Sequence, residues 1–114
     1  MPRKTNKNLL TYPDGVCSVM TVEGRKITGI RQAHLRYGEE SVGVARFWNA
    51  QLASSQIDRA IRIPYEAQVG QRDLVLIGDR QYKIQQIQLK ELGDQRYWHL
   101  SLTSVQTPYG EVSS

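Results

Sequence analysis

The chain has 114 residues, a formal net charge of +4 and a sequence pI near 9.4. That length suits one domain able to bury about two-thirds of its unfolded surface, and 39% hydrophobic with 23% charged residues excludes a disordered or fibrous composition. A single cysteine, Cys17, excludes an internal disulfide and a cysteine-built zinc centre.

No apolar run approaches the roughly 20 residues that span a bilayer. The basic opening MPRKTNK is not followed by the apolar stretch of a signal peptide, so the expectation is a chain without membrane contact, kept in a reducing compartment. The 15 Lys and Arg residues are spread along the sequence, and Arg3, Lys4 and Lys7 alone form an acid-free cluster, in a segment expected to be an unstructured tail over residues 1–11. A diffuse excess of this kind serves solubility before it serves sequence readout.

Structure is expected to begin after the turn Tyr12-Pro13-Asp14-Gly15, in which Pro presets φ, Asp bonds nearby backbone and Gly accepts positive φ. In VCSVMTV, Val16, Met20 and Val22 share one strand face and Cys17 and Val19 the other, so both faces should meet other atoms. Glu23-Gly24 makes a short corner. The next segment, Arg25 to Tyr37, carries Ile27, Leu35 and Tyr37 on one parity and Ile30 on the other, with Gly29 a plausible bulge at the change. It reads as one long bent strand or two shorter ones.

From Gly38 the period-2 pattern stops, while Val44, Phe47, Trp48 and Leu52 follow helical spacing and Ser41 stands where a cap would. The expectation is an insertion over about 38–56 with one short helix within 44–53. Ile57, Ile61 and Ile63 then alternate with Asp58, Ala60 and Arg62 in a half-buried strand ended by Pro64. A hairpin follows in LVLIGDRQYKIQQIQ, where a three-residue loop would set Leu74 and Leu76 opposite Ile84 and Tyr82, and a parity break at Gln85-Gln86 marks a bulge. Trp98, Leu100 and Leu102 alternate with His99, Ser101 and Thr103 in the last strand, and residues 106–114 read as an unstructured end. Strands without alternating helices give a mainly β fold. The specific expectation is a small antiparallel barrel, or barrel-like sandwich, of five or six strands over residues 12–105.

Candidate chemistry is sparse. His34 and His99 lie on outward parities, which predicts solvated imidazoles and neither a base nor a metal ligand. Asp73 and Asp79 occupy turn positions, and Glu39 and Glu40, being adjacent, do not face each other. The tripoints GQRD and GDR lack the following helix that a phosphate loop needs. Phe47, Trp48, Tyr82, Tyr97 and Trp98 are the rings available for base stacking, but Tyr82 and Trp98 alternate with inward aliphatics. The reading is of no enzyme, no cofactor and no metal, with a small nucleic-acid-binding barrel as the alternative to an assembly role.

Three stretches carry a resemblance: YPDGV near the start; RYGEESVGVARFWNAQ; and QYKIQQIQ followed by YWHLSLTSV. Together, over about residues 12–105, they resemble the small head-tail connector, or head-closure, proteins of tailed bacteriophages and prophages. The resemblance implies a structural virion protein of the neck, assembled in the bacterial cytoplasm. Such a protein is monomeric in solution and forms a homo-oligomeric ring between a portal-adaptor ring and the tail or tail-completion proteins, with DNA passing through the channel without sequence readout. A tail-completion protein of the same neck is a near relative of this role. Carried onto this chain, Arg46, Phe47 and Trp48 become the expected subunit or partner contacts, and Glu39, Glu40, Ser41, Val42 and Gly43 a possible channel-facing loop. The turn GDR is shorter than in some members, a departure from the family pattern.

Overall fold

A computed structural model describes residues 10–40 and 57–111. Seven strands form within them: β1 (Gly15–Glu23), β2 (Lys26–Glu40), β3 (Arg59–Pro64), β4 (Leu74–Ile77), β5 (Arg80–Leu92), β6 (Gln95–Ser104) and β7 (Gly110–Glu111). The sheet order β1-β4-β5-β6-β3-β2 returns to its start through an antiparallel β1–β2 pairing, so six antiparallel strands close into a barrel-like ring. No helix occurs among the described residues, and the helix expected within 44–53 lies outside them.

Three of the connections are two-residue hairpins with the same chemistry. Glu23 pairs with Lys26, Ile77 with Arg80 and Leu92 with Gln95, and each loop opens with a glycine at positive φ: Gly24 (64°), Gly78 (63°) and Gly93 (61°). A tight turn matching the right-handed strand twist needs that conformation, which glycine adopts without a Cβ clash. The Gly78 loop is thus one residue shorter than the three-residue loop expected, and the register moves accordingly. Val75, not Leu76, stands opposite Tyr82 and faces the interior.

The ring is filled by Cys17, Val19, Leu35, Tyr37, Ile61, Ile63, Val75, Tyr82, Ile84, Leu100 and Leu102. Burying aliphatic side chains of this size contributes about 1.5–3 kcal/mol each before entropy is charged against it. Leu74 points the other way and joins Met20 and Ile27 in a second cluster, against which Val105 and Tyr109 pack. Residues 106–111, the described part of the end expected to be unstructured over 106–114, are therefore structured. The Gln81 side chain donates to the Tyr109 carbonyl (3.2 Å) and accepts from its N–H (2.7 Å), and β7 pairs in parallel with Lys26 and Ile27.

β2 is a single strand, bent by three register shifts against β1, each inserting one extra residue in β2. The shift between Thr21 and Val22 leaves out Thr28, next to the bulge expected at Gly29, and the exposed His34 takes a φ of 54° inside another. On β5 the pairing jumps from Ile84–Leu102 to Gln86–Ser101, which makes Gln85 the extra residue, as the parity break suggested.

Candidate functional site

Around the ring, neighbouring strands alternate direction, so the start of β1, the end of β2, the start of β3 and the start of β5 meet at one end. Arg59 opens β3 on the parity of Ile61 and Ile63 and lies across this mouth. Its Nε and Nη2 donate to Glu39 Oε2 (3.0 and 2.6 Å), Nη2 to the Tyr37 hydroxyl (3.2 Å) and Nη1 to the Tyr82 hydroxyl (3.0 Å). The guanidinium also sits 5.6 and 5.5 Å from the Tyr37 and Tyr82 ring centroids. The hydrogen bond to Glu39 is the main reason its pKa stands above the ordinary arginine value. Burial pushes the Cys17 thiol, close enough to feel the Arg59 charge, up to about 12, so at neutral pH it is not a nucleophilic thiolate.

A second array covers the outer face of the same end. Arg62 pairs in register with Gly38, and its guanidinium occupies the space a Cβ at Gly38 would need, with Cζ 2.6 Å from that position. Lying there, it donates from Nη2 to the Thr11 carbonyl (2.8 Å), and from Nη1 to the Glu39 carbonyl (3.1 Å) and Glu40 Oε2 (3.2 Å). The other Glu40 oxygen is 2.8 Å from His99 Nδ1. His99 is only 2% exposed, which corrects the expectation of a solvated imidazole. Its parity is outward as read, but the Glu40 carboxylate sits against it.

Glu39 and Glu40 are strand residues, paired with Ile61 and Ala60, and their side chains diverge: Glu39 towards the mouth and Arg59, Glu40 towards the outer array. Of the loop expected to face a channel, they are the part described. Ser41, Val42 and Gly43, and the expected contacts Arg46, Phe47 and Trp48, lie outside the described residues. Tyr82 is buried beneath Arg59, and Trp98 packs against the core while stacking on Tyr65 (centroids 5.5 Å apart) and donating from Nε1 to its carbonyl (3.1 Å). Neither ring is presented for a base. Asp73 is 4% exposed and held by Arg31 (2.6 and 3.1 Å) and the Gly70 N–H (2.7 Å), so its carboxylate serves the local backbone as the turn reading required.

The sequence reading passed over Arg59 and Arg62. For Arg59 the signal was present, since an arginine sharing the parity of Ile61 and Ile63 at a strand start can reach only a barrel end. For Arg62 it was the glycine at position 38, which becomes meaningful once the register is known. Among the described residues no group of three or more His, Cys, Asp or Glu side chains is placed to hold a metal ion. Compared with protein-family models, with curated proteins and with solved structures, the chain matches none.

Proposed function

We propose that this protein is a structural component of a phage neck, joining a portal-adaptor ring to the tail and lining or closing the DNA channel, with the segment after Glu40 as its contact element. The observation that carries the reading is the convergence of the three motif stretches on one end of the barrel. From YPDGV, the Asp14 N–H donates to the Tyr37 carbonyl (3.0 Å) and the Asp14 carboxylate accepts from the Glu39 N–H (2.7 Å). From QYKIQQIQ, Tyr82 shares Arg59 with Tyr37, and from YWHLSLTSV, His99 meets Glu40. Residues without catalytic geometry thus cooperate to anchor both feet of the segment 41–56, at Glu40 and at Arg59. A barrel whose rim carries both flanks of an aromatic-bearing segment suits a protein that meets a ring of partners through that segment.

Attachment to a purified portal-adaptor assembly, read by co-sedimentation and electron microscopy, tests this. Phe47→Ala with Trp48→Ala should abolish attachment while the isolated chain keeps its unfolding midpoint. Retained attachment with an intact fold would remove the role given to the insertion. A ring reconstruction placing residues 38–44 on the outer wall would remove the channel-facing role of Glu39 to Gly43. Titration with single- and double-stranded DNA at two salt concentrations separates the nucleic-acid reading, which requires affinity falling steeply with salt.

A further inference from the structure

Away from the Arg59 mouth, β4 is only four residues long, while its neighbours β1 and β5 both run past its start. Met20 and Lys83 pair with Leu74, the first residue of β4, and beyond that point Thr21, Val22 and Glu23 on one side and Ile84 on the other have no strand between them. The chain is turned out of this line at Asp73, whose N–H donates to the Gly70 carbonyl (3.0 Å). What remains is a groove of about 450 Å³, lined among others by Val22, Leu74, Ile84, Tyr109, Arg72 and Lys83.

We infer that this notch takes an extended acidic peptide segment of a partner protein, which adds as a short strand in the line of β4, between β1 and β5. Three observations point there. The Ile84 carbonyl points into the line of β4, where it accepts from the Gln71 side-chain amide (2.9 Å), a bond that an incoming ladder donor would replace. The floor of Val22, Leu74, Ile84 and the Tyr109 ring is apolar, as alternate side chains of an added strand require. Arg72 and Lys83 are exposed and have no ionic partner among the described residues, whereas the Asp73 carboxylate beside them is already committed to Arg31. Glu23, at the hairpin end of the groove, is the one uncommitted carboxylate in the lining, so the two cations prevail. A nucleic acid fits less well, because the Tyr109 ring already carries Arg25 at 4.4 Å from its centroid. The notch lies at the end of the ring away from Glu40 and Arg59, and the inference does not depend on the neck role.

The test is an amide-resonance titration of the full chain at low salt with the blocked peptide acetyl-Val-Glu-Val-Glu-Val-Glu-amide. Shifts should concentrate at Thr21 to Glu23, at Ile84 and at the Gln71 side-chain amide, and the dissociation constant should rise at least tenfold in R72A/K83A. If that variant loses its native spectrum, R72Q/K83Q is used in its place. Absence of shifts at millimolar peptide, an equal response to the same peptide with Lys for Glu, or unchanged affinity in the double variant would overturn the proposal. So would tighter binding of a six-nucleotide oligothymidylate at the same amides, which would make the ligand a nucleic acid. Concentration-dependent shifts there without peptide would give the notch to a second copy of the chain and overturn it equally.

Discussion

At the end of the ring where β3 finishes, residues 65–73 fold back over the opening and set Ala67 and Val69 against the core, while at the opposite end a charged side chain, Arg59, lies across the interior. The lid is tied down on both sides: the Gln68 N–H donates to Gln32 Oε1 on β2 (3.2 Å) and Gln71 reaches Ile84 on β5. The plug is tied to Glu39, Tyr37 and Tyr82, all side chains at strand ends. Apolar closure by chain resists opening because water must enter to undo it. Polar closure by one guanidinium exchanges hydrogen bonds with water at little net cost, and it stands at the end of the ring that holds Glu40, the last described residue before position 57.

The contrast is broken most directly by truncation on the lid side. Ile63 is fully buried beside the lid, and Ile63→Ala should cost about 3–4 kcal/mol in urea unfolding, through lost transfer energy and an unfilled cavity. Should Arg59→Met cost as much, the two ends would not differ in kind. Next in size is the staple of the lid. Arg31→Ala leaves the Asp73 carboxylate, 4% exposed, with the Gly70 N–H alone, and should lower the unfolding midpoint by less than Ile63→Ala, because the Arg31 side chain is 40% exposed and partly screened. Asp73→Asn in that background should recover part of the loss, since it removes the uncompensated charge.

On the plug side, Arg59→Met keeps the packing stem and removes the donors to two tyrosine hydroxyls, for about 1–2 kcal/mol. Hydrogen exchange should quicken at Tyr37, Glu39 and Arg59 and stay unchanged at Ala67 to Asp73. Cys17 gives the same end a pH signature. Its thiol is raised from 9.0 to about 12 chiefly by burial, so the folded state favours the neutral form. The stability this contributes is complete below pH 9 and is lost as pH rises from 9 towards 12. By linkage that is a fall of about 1 kcal/mol at pH 10. The alkaline fall should shrink in Cys17→Ala, and the wild-type thiol should resist a disulfide reagent at pH 8 until denaturant opens the barrel.

What could be read from the sequence was local. Glycine before a charged residue marked the corner at Gly24 and the hairpin turn at Gly78, and a parity break marked the bulge at Gln85, because each depends on a handful of consecutive residues. What could not be read depends on partners far along the chain. Arg31 meets Asp73 across 42 residues and His99 meets Glu40 across 59, so neither burial has a signature near the residue itself. The end QTPYGEV looked unstructured because Tyr109 is its single large ring, and the apolar surface it covers is assembled from distant strands, by Met20, Ile27 and the outward-turned Leu74. Of the candidate site, Glu39 and Glu40 were rightly singled out as a pair that cannot face each other. Their cationic partners emerged only with the register of β2 against β3.

The smallest effect concerns the strand that serves both ends. β2 carries Arg31 to the lid and Tyr37 and Glu39 to the plug, and its extra residues let it leave β1 and take β3 as a partner. His34 absorbs part of that bend with a φ of 54°, a region costing a non-glycine residue about 1–2 kcal/mol. His34→Gly should relieve the strain while returning about 0.5–1 kcal/mol of entropy to the unfolded chain, for a net gain below about 1 kcal/mol. His34→Val, β-branched at positive φ, should lose about 1 kcal/mol. The ordering Gly above His above Val in unfolding midpoint is the expected outcome. If Val instead equals His, β2 bends without using this residue's backbone, and the coupling of lid and plug through the bulge would have to be carried by the other two register shifts.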